Sequence, residues 1–173
     1  MPTASLVYID ETSIDTGRTR FYGRAPSNER VIDHTPDVRF ERTTLLSSVR
    51  TDGTIVPMIF DGSLNGELFV RYIADFLAPT LKPGDLVIMD NLSSHKVSGV
   101  LEAFKDTGAS VRYLPPYSPD LNPIEKMWSK IKAYLRKRKA RDIDALEKAL
   151  AEALDTVSRS DMLAWVRECG YSI

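Results

Sequence analysis

The chain has 173 residues, of which 43% are hydrophobic and 27% are charged, and its formal net charge is −1. These values are ordinary for a globular domain, and a chain of this length can bury roughly 70% of the surface that it exposes when unfolded. No apolar run approaches the ~18 residues that a membrane span requires, so we expect no membrane segment.

The first third of the chain is predicted to form antiparallel strands. Residues 6–9 are apolar and include β-branched and aromatic side chains, which is typical of a short buried strand that ends at Asp10. Strands are also predicted at 19–23, 42–49 and 55–60, the last two joined by a turn at 51–54. Prolines and polar residues at 24–37 favour a loop there.

The rest of the chain alternates between helical and strand patterns. Apolar residues recur with helical period at 68–77 and 97–104, and apolar runs typical of buried strands follow at 86–89 and 110–114. This alternation predicts a parallel portion of the sheet. Asn122-Pro123 favours a helix start, with Asn122 as N-cap, and a later amphipathic helix is predicted over 143–157.

The start of the sequence and its cysteine content indicate the cellular compartment and the domain organisation. The start of the sequence lacks a basic region followed by an apolar core, so it resembles neither a signal peptide nor a transit peptide. The one cysteine, Cys169, excludes an internal disulfide and any site built from several thiolates. We therefore expect a single cytoplasmic domain over residues 1–173.

Three acidic residues lie at the ends or starts of predicted elements. Asp10 follows the first strand, Asp90 follows the strand at 86–89, and Glu125 lies in the first turn of the helix after Pro123. Carboxylates that project from different elements can hold hard divalent cations such as Mg²⁺ against a phosphate. Phosphodiester chemistry is therefore the first functional hypothesis.

These residues and their neighbours also have structural alternatives. An acid just beyond a strand commonly caps a turn, which for Asp10 taken alone is the more common role. Glu125 lies three residues after Asn122 and could complete a capping box, whose loss would cost only ~1 kcal/mol. His95 either orients a phosphate or supports Asp90, or it is a surface or capping residue, which is the more common role of a lone histidine near a helix start. Because adjacent strand side chains point to opposite faces, we expect Asp10, and not Glu11, to reach a common site.

A basic segment follows Glu125 and has two interpretations. It can meet the phosphates of a nucleic acid, or it can form a solvated helix face. The candidate DNA-binding residues are Lys126, Lys130, Lys132, Arg136 and Lys137. Three further basic residues, Arg138, Lys139 and Arg141, continue the segment without an intervening acid.

Three segments resemble the DDE-superfamily transposases, most closely the bacterial insertion-sequence branch of the mariner-like group. They are Tyr-Ile-Asp-Glu at 8–11, Asp-Asn-Leu-Ser-Ser-His at 90–95, and Tyr-Ser-Pro-Asp-Leu-Asn-Pro-Ile-Glu-Lys-Met-Trp at 117–128. Thirty-four residues separate Asp90 from Glu125, which is the spacing of that group. The third segment is highly specific, and the resemblance covers nearly the whole chain.

The resemblance implies an α/β RNase H-like fold with a central mixed five-stranded sheet flanked by helices. It implies a catalytic triad of Asp10, Asp90 and Glu125 that binds two Mg²⁺ or Mn²⁺ ions, with Asn91 and His95 as supporting residues. The implied activity is metal-dependent DNA cleavage and strand transfer at transposon ends. DNA is the implied partner, and a homodimer is expected because two DNA ends must be handled.

Relatives in this family carry helix-turn-helix DNA-binding modules before the first aspartate, whereas nine residues precede Asp10 here. We therefore expect recognition of transposon ends to need an upstream DNA-binding polypeptide or a region fused by frameshifting. Two other functions remain open from the sequence. One is a different RNase H-like nuclease, and the other is a non-catalytic partial transposase that binds DNA or its full-length relatives.

Overall fold

The computed structural model describes residues 5–19, 22–34 and 40–172, and a mixed five-stranded sheet forms its centre. The strands lie in the order β3-β2-β1-β4-β5. Strand β2 pairs antiparallel with β1 and β3, whereas β4 pairs parallel with β1 and β5. The predicted mixed sheet and its parallel portion are therefore confirmed. The strand bounds are β1 Leu6–Asp15, β2 Arg42–Arg50, β3 Ile55–Asp61, β4 Leu86–Met89 and β5 Ser110–Tyr113.

Helices cover both faces of this sheet. They are α1 Gly66–Tyr72, α2 Val100–Phe104, α3 Ile124–Arg138, α4 Ile143–Asp155 and α5 Arg159–Glu168. Helix α1 continues through a wider turn at Ile73–Leu77 and a tighter one at Ala78–Thr80. In the described ranges, no helix is both long enough and apolar enough to cross a membrane.

The alternation of side chains along β1 creates two separate cores. Tyr8 and Ile14 face α3, α4 and α5 and pack in a cluster with Trp128. Val7 and Ile9 face the other way and pack with Phe69 of α1 and with α2. Burying each large apolar side chain stabilises the fold by roughly 1.5–3 kcal/mol, so β1 is held from both sides.

Strand β1 is longer than predicted. It continues past Asp10 because residues as far as Asp15 pair with β2, where Asp15 lies opposite Arg42. Asp10 is thus in the middle of a strand, and its alternative role as a turn cap is wrong. The strand predicted at 19–23 is also wrong for its described residues, since Thr19, Tyr22 and Gly23 have no regular structure; residues 20–21 lie outside the described ranges.

The predicted loop at 24–37 is irregular over 24–34, and residues 35–37 lie outside the described ranges. The helix predicted at 97–104 begins only at Val100, because Gly99 precedes it with a positive φ of 104°. Helix α5 was not predicted, although Ser158 and Asp161 form a complete capping box at its start.

A buried ion pair fixes the opposite end of the sheet from the site described below. Arg50 Nη1 lies 2.6 Å from Asp85 Oδ2, and its other terminal nitrogen donates to the carbonyl of Thr80 at 2.8 Å. The Asp85 carboxylate also accepts from the backbone N–H of Lys82. These contacts join the end of β2 to the start of β4, and β4 leads directly to Asp90.

Candidate active site

Asp10 is a nearly buried acid, 7% exposed, on the face of β1 that packs against α3. Its Oδ2 accepts a hydrogen bond from the indole N–H of Trp128 at 3.0 Å. Burial is the main cause that raises the pKa of Asp10 to about 7. The Trp128 hydrogen bond opposes this increase, and the charges of Glu11 and Glu125 contribute to it. The carboxyl of Asp10 therefore lies in a negative, poorly solvated environment that favours a proton or a cation.

Asp90 is the neighbour of Asp10 across the parallel pair of strands. Ile9 of β1 and Met89 of β4 are the last residues paired between these strands, so Asp10 and Asp90 are the next residues along the two strands. Asp90 Oδ1 accepts from the backbone N–H of Leu92 at 3.0 Å, a local role that the sequence did not predict. Burial opposes ionisation of Asp90, but the close contact with His95 and the hydrogen bond from Leu92 outweigh it and lower the pKa of Asp90.

Glu125 lies in the first turn of α3 and is exposed. The pKa of Glu125 is raised, first because the surrounding protein displaces part of the solvent around its carboxyl group and then by the charges of Asp90 and Glu11, while Lys132 lowers it. The capping-box alternative for Glu125 is wrong. Pro123 holds the N-cap position without a side-chain hydrogen bond, and Asn122 is turned inward, 3% exposed, so its predicted role as N-cap is also wrong.

The three acids line one cavity of about 420 Å³. Asp10 enters it from β1, Asp90 from the end of β4, and Glu125 from α3. The two loops that follow β4 and β5 complete the lining. The fold thus brings together residues that are 80 and 115 positions apart from Asp10 in the sequence.

The two predicted supporting residues occupy different positions. Asn91 lines the cavity, whereas His95 lies behind Asp90, fully buried, with Nδ1 at 2.6 Å from Asp90 Oδ1. His95 Nε2 lies 3.4 Å from Glu11 Oε2. Burial works against a charged imidazole, but the two carboxylates outweigh it and raise the pKa of His95 to about 9.

The five candidate DNA-binding residues differ in whether their charges are paired with carboxylates of α5, lie on the cavity side of α3, or are exposed. Lys126 pairs with Glu168 at 2.8 Å, and Lys130 pairs with Asp161 at 2.7 Å, so both charges are used to hold α5. Lys132 is half-buried on the cavity side of α3. Burial and the charge of Arg18 lower its pKa, while Glu125 and Asp10 raise it. Arg136 adds to the positive field at Lys132, and Lys137 is exposed.

Sequence reasoning missed three residues at this site. Glu11 was assigned to the opposite face of the sheet, which is correct, but from there it contacts His95. Asn122 lines the cavity, and its Oδ1 is buried without a hydrogen-bond partner among the described residues. Tyr117 lies at the rim, fully exposed, with a positive φ of 56° that is uncommon for tyrosine. In the sequence, Pro116 and Pro119 on either side of Tyr117 were the sign of an irregular backbone at this position.

The donor chemistry of the cavity fits a hard divalent cation. Three carboxylates supply oxygen ligands. Burial is the main cause of the raised pKa values of Asp10 and Glu125, and the neighbouring carboxylates add negative charge that a cation would neutralise. Across the described part of the chain, no three acidic, histidine or cysteine side chains are grouped closely enough to hold an ion alone. Mg²⁺ typically keeps several waters and uses one or two carboxylates with substrate phosphates, so this arrangement remains compatible.

The sheet order and the helices on both faces define a domain of the RNase H-like class. The family model described as DDE superfamily endonuclease matches residues 5–147. The chain therefore belongs to the DDE superfamily endonuclease family.

Solved structures support the same fold. The Mos1 transposase paired-end complex with left transposon end superimposes with a TM-score of 0.77 at 17% identity, over 95% of this chain and 52% of that chain. The Mos1 mariner paired-end complex with Mn gives 0.75 at 16%, with the same coverage. The catalytic domain of Mos1 mariner transposase gives 0.67 at 15%, over 95% of this chain and 76% of that chain.

The chain spans about half the length of the Mos1 chains in those paired-end complexes. Among curated protein sequences, no significant match was found.

Proposed function

We propose that residues 1–173 form the single catalytic domain of a transposase from the bacterial insertion-sequence branch of the mariner-like group. The domain cleaves DNA and transfers strands at transposon ends. The observation that carries this proposal is that Asp10, Asp90 and Glu125, which lie on three different elements, line one cavity. Membership of the DDE endonuclease family and the resemblance of the fold to Mos1 transposase support it.

In this proposal Asp10, Asp90 and Glu125 hold two Mg²⁺ or Mn²⁺ ions. When bound, such ions activate the attacking water or DNA 3′-hydroxyl and stabilise the leaving oxygen. Trp128 keeps the Asp10 carboxylate in one orientation by donating to Oδ2. Asn91 lines the same cavity and is available to donate to a phosphate oxygen.

The proposed DNA path runs along the cavity side of α3. Lys132 supplies positive charge near Glu125 and Asp10, and Arg136 adds positive charge near Lys132, where a phosphodiester backbone would place its negative charge. Lys137 follows Arg136 on α3, is exposed, and is the remaining proposed phosphate contact. Lys126 and Lys130 contribute less to the proposed surface, because their ammonium groups are already paired with carboxylates of α5.

The proposed partners are DNA, a region that recognises the transposon ends, and a second copy of the chain. Recognition of the inverted repeats comes from a further DNA-binding polypeptide or a region fused upstream by frameshifting. Two copies of the chain act together, because two transposon ends must be cut and joined. The DNA substrate makes the bacterial cytoplasm the proposed location.

DNA nicking tests the proposal directly. An end-labelled duplex carrying the terminal repeats of the element should be nicked by the wild-type chain with Mg²⁺ or Mn²⁺, with any required upstream partner supplied. Asp90→Asn should abolish nicking, because it removes a charged ligand from the cavity. The matched control is Asp106→Asn, which changes an exposed aspartate in the turn after α2 and should cleave normally.

Other outcomes of the same assay contradict the proposal. Equal cleavage by Asp90→Asn would remove the assigned site. Preference for the RNA strand of a hybrid, or for four-way junctions, would identify another RNase H-like nuclease. Binding of DNA without cleavage under any metal condition would identify a non-catalytic partial transposase.

A further inference from the structure

Glu11 and His95 meet on the face of the sheet opposite to Asp10. Because neighbouring side chains of β1 alternate, Asp10 faces α3 while Glu11 faces α1. His95 is 0% exposed there, and its ring stacks on Phe69 with centroids 4.2 Å apart and planes 28° apart. The imidazole is therefore fixed by packing before any polar contact is considered.

The backbone of His95 is also held. Its N–H donates to the carbonyl of Leu92 at 3.1 Å, and its carbonyl accepts from the hydroxyl of Tyr113 at 2.9 Å. Tyr113 is the last residue of β5. The loop that follows Asp90 is thus tied to the neighbouring strand, which fixes the ring nitrogens relative to the sheet.

Each ring nitrogen faces one carboxylate. Nδ1 lies 2.6 Å from Asp90 Oδ1, and Nε2 lies 3.4 Å from Glu11 Oε2. Neither nitrogen meets hydrogen-bond geometry within the described residues, so both are close ionic contacts. An imidazole between two acids links them. A histidine that served only to fill the core would need no second carboxylate, and burying one beside it would cost energy.

We infer that Glu11 and His95 are positioning residues that hold Asp90 in the orientation required for metal binding. This inference rests on the proposed function. His95 fixes one carboxylate oxygen of Asp90 and leaves the other free to turn toward the cavity, while Glu11 fixes His95. Strand β1 therefore serves the site from both faces, through Asp10 on one and Glu11 on the other. Outer partners of metal ligands typically account for 10–100-fold in metal affinity.

Manganese affinity of the intact chain, measured by calorimetry, tests the inference. Glu11→Ala removes the carboxylate that faces Nε2, and should weaken Mn²⁺ binding about tenfold or more. Glu11→Gln keeps the side-chain length and an oxygen toward Nε2 but removes the charge, so its Mn²⁺ affinity should lie between those of Glu11→Ala and the wild type. Glu102→Ala, an exposed acid on α2, is the matched control and should bind as wild type.

Melting temperatures separate positioning from simple stabilisation. If Glu11→Ala melts at a lower temperature but binds Mn²⁺ like the wild type at 25 °C, the inference is overturned. If the wild type itself shows no Mn²⁺ binding that depends on Asp10, the proposed function fails and this inference fails with it. The Asp10→Asn variant, measured in parallel, distinguishes these two results.

A second measurement needs no variant at Glu11 and remains decisive if Glu11→Ala does not fold. The chain has two histidines, the buried His95 and the exposed His34. Titration of the wild-type chain with Mg²⁺ should move the imidazole NMR resonances of His95 and leave those of His34 in place. If the chemical shifts of the His95 imidazole do not change at saturating Mg²⁺, the inference is overturned.

Discussion

At the scale of single residues, Asp10 is where burial and charge act most strongly against an ionised carboxylate. Its pKa is raised to about 7, first by burial, against an ordinary value of 3.8. The folded chain without metal therefore binds a proton more tightly than the unfolded chain between pH ~4 and ~7. The stability that this proton contributes is present at low pH and is lost as the pH rises through about 7.

Asp10→Asn should remove this pH dependence. We expect the free energy of unfolding of the metal-free wild type to fall by up to roughly 4 kcal/mol, relative to Asp10→Asn, between pH 4 and 8. Urea unfolding at both pH values with a chelator present measures this difference. Mn²⁺ added at pH 8 should stabilise the wild type and not the variant. Identical pH dependence in the two proteins would contradict the assigned environment of Asp10.

Trp128 is the residue that most directly controls the Asp10 carboxylate. Trp128→Phe removes the indole N–H that donates to Oδ2, so the pKa of Asp10 should rise further and Mn²⁺ binding below pH 7 should weaken. Lost packing and the lost bond should also lower the free energy of unfolding by about 1–3 kcal/mol. Calorimetry at pH 6 and 8 measures the affinity.

Trp165→Phe is the control for Trp128→Phe, because Trp165 packs against the same core from α5. It should lower stability without altering the pH dependence of Mn²⁺ binding. The account of Asp10 would be contradicted if both tryptophan variants changed Mn²⁺ affinity equally.

At the scale of elements, α3 uses its basic residues in two ways. Lys130 Nζ donates to the carbonyl of Thr156 and to Asp161, both at 2.7 Å, which joins α3 to the start of α5. Lys132, two residues on, lies on the cavity side near Glu125. The basic segment is thus neither a uniform DNA-binding face nor a uniformly solvated one.

Comparison of Lys132→Ala with Lys130→Ala tests this division. Lys132→Ala should weaken DNA binding and reduce the slope of log affinity against log salt by about 1, since one phosphate contact is lost. Lys130→Ala should lower stability by about 1 kcal/mol and leave the slope unchanged. Fluorescence anisotropy from 50 to 200 mM salt measures both variants. A reduced slope for Lys130→Ala alone would reverse the assignment.

Helix α5 depends on its first turn. The Ser158 hydroxyl accepts from the N–H of Asp161, and the Asp161 carboxylate accepts from the N–H of Ser158. Ser158→Ala should therefore lower the free energy of unfolding by about 1 kcal/mol. Urea denaturation provides the value, with Ser63→Ala, an exposed loop serine, expected to change it by less than about 0.5 kcal/mol. Mn²⁺ affinity should not change, because Ser158 lies outside the cavity.

At the scale of the whole molecule, the mixed sheet brings residues that are distant in the sequence close together in space. Short apolar runs predicted its strands, and the helices predicted at 68–77 and 97–104, each followed by a strand, predicted its parallel portion, because these patterns depend on local periodicity. The carboxyl end of β4 carried Asp90 as predicted. These parts of the fold depend mainly on local sequence, which explains why they could be predicted.

Other features depend on contacts between distant residues. Polar residues follow Asp10, so only pairing with β2 shows that β1 continues to Asp15. The contact of Glu11 with His95 requires α1 and the loop after β4 to meet on the same face. Asn122 has the residue type of a helix cap, but its side chain lies inward at the cavity. No local pattern contains this information.

We propose that Asp10, Asp90 and Glu125 jointly bind the ions on which DNA cleavage depends. Anomalous X-ray diffraction from crystals of the wild-type chain soaked in Mn²⁺ tests it most directly. We expect manganese peaks inside the cavity, within coordination distance of the carboxylate oxygens of Asp10 and Asp90 and adjacent to Glu125. Manganese bound only elsewhere on the chain, or a cavity without a peak at saturating Mn²⁺, would contradict it.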